Sequence, residues 1–355
     1  MHVLLVEPSY HTAYPPLGLL KIAASHKAGG NTVELVRGIK PVSTTPQKIY
    51  VTSLFTYAWR PVHQAAHYYR VLFPQAYMLL GGIYASLVPK HARLSGADEV
   101  YTGLMTDVEG LLPDYSLVPE WKTSILFSTR GCIRSCPFCA VPRLEKQIST
   151  GPSVKQLVYP GHKKIVLWDN NFLAAKTWRQ ILLQLREIGM PVDFNQGLDA
   201  RLIDDAVAQE LSGLKLDPVR MAYDMAGERK SLEKAIPALV RTRFNKRRII
   251  VYTLYNFTDT PEDFWRRVAD LLEWGVVCYP MRYEPLNSLV KNQYVSPYWT
   301  KEDLEMVAKA RRVLGAGGAF PPYEGLQKKI VGARDFYQAF ELRSPQATKS
   351  QLVLV

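Results

Sequence analysis

Apolar residues in this chain come in short runs separated by longer stretches of three-and-four spacing. Residues 2–6 form an apolar run that stops at Glu7-Pro8, a buried-strand pattern followed by a breaker. Residues 17–27 have helical spacing and end at Gly29-Gly30, a helix stop. Strand patterns follow at 32–36, 49–55 and 77–80, with a helical pattern at 61–71. Strands separated by helical segments predict βαβ units around a parallel sheet, with ligands expected beyond the strands' C-terminal ends. Residues 1–110 are therefore expected to form an α/β, Rossmann-like, doubly wound domain. No GxGxxG follows the first strand, which argues against a dinucleotide there.

Residues 111–122 are broken by prolines and read as a linker. A second βα series then begins, with strand patterns at 124–128, 164–168, 192–196, 219–224, 248–255 and 276–282. Helical patterns fill the gaps, for example at 178–188 and 262–274. Six such units over 123–286 predict a parallel sheet bent into an incomplete (β/α)6 barrel, with active residues at the strands' C-terminal ends. Residues 287–355 read as a C-terminal extension with a helix at 301–314, a Gly-rich turn at 315–318 and a tail.

Composition narrows the class without naming a function. The chain has 355 residues, 47% hydrophobic and 21% charged, which is ordinary for a globular protein. The N-terminus lacks a basic region ahead of its short apolar run, unlike a signal peptide, and no stretch approaches a bilayer span. A soluble, cytoplasmic protein without a membrane partner is expected. Lys and Arg exceed Asp and Glu by 44 to 32, a net charge of +12 that favours a polyanionic or nucleic-acid-related partner. A small-molecule substrate remains equally open.

Three of the four cysteines lie within eight residues, in Ser128-Thr-Arg-Gly-Cys132-Ile-Arg-Ser-Cys136-Pro-Phe-Cys139, directly after a predicted strand. A disulfide framework would spread them through a short secreted chain. Three thiolates at these spacings can wrap one face of a cubane cluster and leave one iron without a protein ligand. A structural zinc site wants four ligands, and only the distant Cys278 or a histidine could supply the fourth.

This Cx3Cx2C motif, with an aromatic residue before its last cysteine and six βα units around it, resembles the radical S-adenosylmethionine superfamily over residues 123–286. The resemblance implies a [4Fe–4S] cluster on Cys132, Cys136 and Cys139, whose open iron chelates S-adenosylmethionine. It also implies an external electron donor such as flavodoxin or ferredoxin, and one-electron cleavage of the sulfonium to a 5′-deoxyadenosyl radical. Other predicted strand ends carry polar groups that the resemblance places near the cofactor: Asp169 and Asn170, Gln196, Asp224, Asn256, and Met281 with Arg282. Asn256 stands where relatives commonly have a Gly-containing turn, although asparagine also tolerates left-handed backbone. Asp199 and Arg201 read either as site residues or as a structural ion pair. Cys278 reads either as a buried structural thiol or as a catalytic hydrogen-atom donor or covalent anchor.

The segments Pro15-Pro16-Leu17-Gly18-Leu19, Gly29-Gly30-Asn31-Thr32-Val33, Leu80-Gly81-Gly82 and Gly96-Ala97-Asp98-Glu99-Val100 resemble the cobalamin-binding-type domain that precedes many such enzymes. That resemblance implies a radical methyltransferase. The DxHxxG signature of a lower cobalt ligand is missing, so cobalamin would bind without it, or the domain serves the substrate instead. The competing reading is a cobalamin-independent mutase, cyclase or lyase acting on a nucleoside, nucleic acid or peptide. No cysteine precedes Cys132, which disfavours a methylthiotransferase with a second cluster. His63 and His67 share a helical face but have no acidic partner, and are expected to be solvent-exposed. The basic run 241–248 reads as a solvated helix end or a phosphate contact.

Overall fold

The computed structural model describes residues 1–342. Its first sheet is parallel throughout: β1 (His2–Glu7), β2 (Thr32–Arg37), β3 (Lys48–Ser53), β4 (Tyr77–Gly82) and β5 (Glu99–Val100), in the order β2-β1-β3-β4-β5. Val3 to Val6 are fully buried because helices cover both faces, as an apolar run in a parallel sheet requires. Leu4 and Val6 share a core with Val62, Ala65 and Tyr69 of the helix Trp59–Leu72. Val3 and Leu5 meet Leu19 and Ala23 of the helix Leu17–Ala28 on the other side. The expected α/β layering is thus present, and the sheet is consistent with a Rossmann-like domain. Strand order reverses between β1 and β3, and a ligand crevice is expected at such a switch point. Gly82 closes β4 with φ of 104°, and a Cβ there would sit 2.1 Å from Ser53 O.

The second unit contains β6 (Thr123–Leu126), β7 (Thr129–Arg130), β8 (Ser149–Thr150), β9 (Lys164–Leu167), β10 (Pro191–Phe194), β11 (Lys215–Leu216), β12 (Val219–Ala222), β13 (Ile249–Tyr255) and β14 (Val277–Arg282). The six expected strands are all present, but in two parallel sheets, β11-β10-β9-β6 and β12-β13-β14. The short β11 takes the edge of β10 where β12 was expected. The sheets remain linked, since Leu198 donates its N–H to Arg220 O at 2.8 Å. Arg220 also reaches back to both carboxylate oxygens of Asp193, at 2.9 and 3.0 Å, and to the Tyr252 hydroxyl at 2.8 Å. The helices that follow are anchored by ordinary means. Thr260 and Asp263 form a capping box with Pro261 at the first position of Pro261–Glu273.

The two units share a core. Leu17 and Leu20 pack with Tyr115, Val118, Ile125 and Val166. Tyr14 lies edge-on to Trp121 and Trp168, and its hydroxyl accepts from Asn195 at 3.0 Å. Behind the second unit, Phe264 stacks on Phe340 and Trp265 donates to Ile330 O, so the described part of the extension covers the helix Pro261–Glu273. The rest of the expected tail, 343–355, lies outside the described residues. Among the described residues no helix is long and apolar enough to cross a membrane.

His63 departs from its expected exposure, whereas His67 is exposed. The His63 ring is half-buried and stacks on His91 at 5.3 Å. Its Nε2 lies 2.9 Å from the hydroxyl of the fully buried Tyr84. A tertiary partner from the chain after β4 overrode the surface reading of that helix face.

Candidate functional site

The cysteine segment is an excursion from the C-terminal end of β6, pinched shut by antiparallel pairing of β7 with β8. Its entry is set by Gly131, whose φ is 79° and whose Cβ would lie 2.1 Å from Gln147 O. Only glycine accepts both the backbone angle and the contact. Glu145 closes the same ring from the other side. Its Oε2 accepts from Gly131 N at 2.8 Å and from Asn170 Nδ2 at 2.7 Å, while Oε1 takes Arg130 Nη1 at 3.0 Å.

Asp169 sits under this entry, 3% exposed. It accepts from Ser128 Oγ at 2.8 Å, from Thr129 Oγ1 at 3.1 Å and from Thr129 N. Burial pushes its carboxyl up to about 6, and these donors only partly offset that. Asp169 is therefore at the expected strand end, but both of its oxygens are occupied in holding the first residues of the excursion.

The excursion reaches over the C-terminal ends of both sheets. Arg134, between the first two cysteines, pairs with the buried Glu228 beyond β12. Phe138 meets Phe257 beyond β13 edge-on at 5.6 Å. Cys132, Cys136 and Cys139 are all half-buried. The Cys136 and Cys139 thiols are pushed up by burial; Cys136 also feels Cys139 and Cys132, and Cys139 feels Cys132. Backbone N–H groups already point at two sulfurs, Arg134 N at 3.3 Å from Cys132 Sγ and Val141 N at 3.4 Å from Cys139 Sγ. Donors aimed at sulfur stabilise thiolate character, as cluster ligands require.

Asn171 is the residue that sequence reasoning missed. Its Nδ2 lies 3.5 Å from Cys132 Sγ and 3.0 Å from Asp199 Oδ2, and its Oδ1 is buried without a partner. The sequence reading named its neighbours Asp169 and Asn170 instead, because strand alternation alone does not say which side chain turns toward the cysteines. Asp199 forms the ion pair that was one of its two readings. It chelates Arg201 at 2.9 and 2.6 Å and also positions Asn171.

The other predicted residues divide. Asp224 accepts from Leu254 N at 3.1 Å, is pushed up to about 6 chiefly by burial and then by Glu228, and lies close enough to Cys139 to influence it. Asn170 and the exposed Gln196 line a cavity between the two units. Asn256 does take left-handed backbone, φ 68°, but its fully buried amide is used structurally. It donates to Tyr294 O at 3.1 Å and accepts from Ser296 N at 2.9 Å. Arg282 likewise ties down that loop, donating to Asn292 O and Tyr294 O at 3.1 and 2.8 Å. Met281 is exposed beside it. Cys278 is not brought to the cysteines at all. It is fully buried next to Thr253 Oγ1 at 3.5 Å and bridges to Phe320 on the core side of β14, where burial pushes its thiol up to about 12. Strand alternation puts it on the face opposite Tyr279, so its thiol packs among core side chains.

A cavity of about 680 Å³ lies where the C-terminal ends of the two units face one another. Glu7, Thr52 and Ser53 reach it from β1 and β3 at the switch point; Phe127, Trp168 and Asn195 reach it from β6, β9 and β10. Val141 and Glu145 connect it to the cysteine excursion. Trp168 Nε1 is buried without a partner. Among the described residues no three His, Cys, Asp or Glu side chains converge as donors to one metal ion.

No protein-family model and no curated protein matches this chain. The site is therefore read from its own chemistry.

Proposed function

We propose that this protein is a radical S-adenosylmethionine enzyme, its second unit an incomplete (β/α)6 barrel and Cys132, Cys136 and Cys139 the ligands of a [4Fe–4S] cluster. The observation that carries the reading is the cysteine excursion itself: three half-buried thiols, two with N–H donors aimed at sulfur, held over the C-terminal ends of six parallel strands. The donor set fits the cluster, since three thiolates leave one iron open and Asn171 Nδ2 donates toward Cys132 Sγ at 3.5 Å. When bound, the cluster supplies one electron for reductive cleavage of the sulfonium C–S bond of S-adenosylmethionine.

The chain's own residues do the positioning. Asp169 and Glu145 fix the two ends of the excursion, and Asn171 orients Cys132. Arg134 with Glu228 ties the loop between the first two cysteines to the far sheet. Tyr14 and Trp168, edge-on at 5.3 Å, form an aromatic wall on one side of the cavity.

The first unit favours the methyltransferase form of this chemistry. Its 2-1-3-4-5 sheet places the 680 Å³ cavity at the switch point, next to the cysteine excursion, where a corrinoid would lie between the units. The alternative, a cobalamin-independent mutase, cyclase or lyase, uses the same cavity for its substrate. Anaerobic reconstitution with iron and sulfide, followed by incubation with S-adenosylmethionine and a reductant, tests the reading. A bound corrinoid spectrum and S-adenosylhomocysteine are expected for the first form. 5′-Deoxyadenosine without corrinoid supports the second, and failure to form an iron–sulfur chromophore rejects both.

A further inference from the structure

At the opposite end of the second unit, away from the cysteines, the starts of β9, β10 and β11 border an open cleft of about 870 Å³. Lys164, Lys215, Arg241 and Arg243 line it, with Phe244 at one wall. A second cleft of about 590 Å³ lies on the other side of Phe244 and is lined by Lys246 and Arg247. The carboxylates nearby are already engaged: Asp205 holds Arg241 and Asp217 holds Arg248. Among the described residues, Lys215, Arg243, Lys246 and Arg247 have no carboxylate within ion-pair distance.

Basic residues at helix C-termini complement the helix dipole, and Arg241 in the last turn of Arg229–Arg241 does so. That effect fades within a turn and does not account for Arg243, Lys246 and Arg247, which lie beyond it. Arg243 also occupies a conformation that favours glycine. Its φ is 75°, in a helix-ending turn where Phe244 N bonds Leu239 O at 3.2 Å and Arg243 N bonds Val240 O at 3.0 Å. A strained backbone at an unpaired cation points to a use for the side chain.

We propose that these two clefts form a track for the phosphodiester backbone of a single-stranded nucleic acid. The four free cations do not converge as a monophosphate site would need. They lie on both sides of the half-buried Phe244, Lys215 and Arg243 in the first cleft and Lys246 and Arg247 in the second, as contacts spread along a backbone would. The end of the strands where they lie is a docking surface and takes no part in the cluster chemistry.

The test is fluorescence anisotropy of the full-length chain with a labelled poly-uridine oligonucleotide of about 20 nucleotides. Four phosphate contacts on a single strand give a slope near −2.8 in log K against log salt. Binding should therefore weaken about 50-fold between about 50 and about 200 mM salt. Arg243→Gly removes one cation and relieves the left-handed strain, so the salt effect should fall to about 20-fold while the melting temperature holds or rises. A charge-reversed Lys215→Glu/Lys246→Glu variant should abolish binding. The proposal is overturned by absence of binding at about 50 mM salt, or by wild-type affinity and salt dependence in Arg243→Gly. It is equally overturned if a poly-glutamate peptide competes as well as unlabelled oligonucleotide. Because none of these readouts needs iron, loss of the cluster reading would leave the result intact.

Discussion

Glu145 accepts the backbone N–H of Gly131 at 2.8 Å, so a residue beyond the last cysteine locks the residue before the first. The same carboxylate holds Arg130 and Asn170. Removing it in Glu145→Ala strands a backbone donor and an amide, at about 1–3 kcal/mol for each group left without an acceptor. We expect Glu145→Ala to fold with a lowered melting temperature and to retain less than half the wild-type iron after reconstitution, measured by iron and sulfide assay. Wild-type iron content would show that the excursion does not depend on this clamp.

Gly131 makes the same point sterically. A methyl group at φ 79° would meet Gln147 O at 2.1 Å, a backbone atom that cannot step aside. Gly131→Ala should open the β7–β8 pairing and abolish the iron–sulfur chromophore, with far-ultraviolet circular dichroism close to wild type. A normal chromophore in this variant would mean that the pinch is not needed to assemble the site.

How much of this was readable beforehand depends on the kind of information. Apolar periodicity placed β1 and β9 to within about a residue or two, because burial on both faces leaves an uninterrupted signature. The cysteine motif stood out because three thiols fall within eight residues. Side-chain direction at strand ends was not. Asp169 turned into the protein and Asn171 turned toward Cys132, and the two differ by one period of a pattern that ends just before them. Asn256 was correctly read as tolerating left-handed backbone, but its amide serves the 283–296 loop, a long-range partner that no local pattern contains. The split of the second sheet was hidden because β11 is only two residues long.

Cys278 and Cys132 should separate cleanly. Cys278 lies at full burial among core side chains, so Cys278→Ala removes packing and a weak bond to Thr253, costing about 1–2 kcal/mol. Its iron content should equal wild type. Cys132→Ala should instead lose the chromophore while keeping its melting temperature in the metal-free state. If Cys278→Ala lost iron, the assignment of that thiol to the core would fail.

Asn171 tests whether the missed residue matters. Asn171→Asp places a second carboxylate beside Asp199, which already accepts from the amide at 3.0 Å, and turns a donor near Cys132 Sγ into a negative group. Both changes oppose thiolate charge. Iron loading should fall severalfold, and Asn171→Ser, which keeps a donor without the charge, should recover part of it. Equal loading in the aspartate variant would remove Asn171 from the site.

Asp224 gives a pH signature that a purely structural residue would lack. Burial first, then the nearby Glu228, raise its carboxyl to about 6 from an ordinary 3.8. The folded chain therefore keeps a proton that the unfolded chain releases between those values. Folding is progressively penalised by this group as pH climbs from about 4 to about 6, by up to about 3 kcal/mol at about 1.36 per unit, and the full penalty persists above pH 6. Asp224→Asn retains the Oδ1 acceptor for Leu254 N and cannot ionise. In metal-free protein the variant should match wild type near pH 4 and be more stable near pH 8, with the gap opening across that window. Denaturant unfolding at the two pH values reads it directly. A gap that is constant with pH, or that opens toward acid, would mean that the Asp224 carboxylate is stabilised by its surroundings instead, with Arg134 and Arg267 outweighing burial.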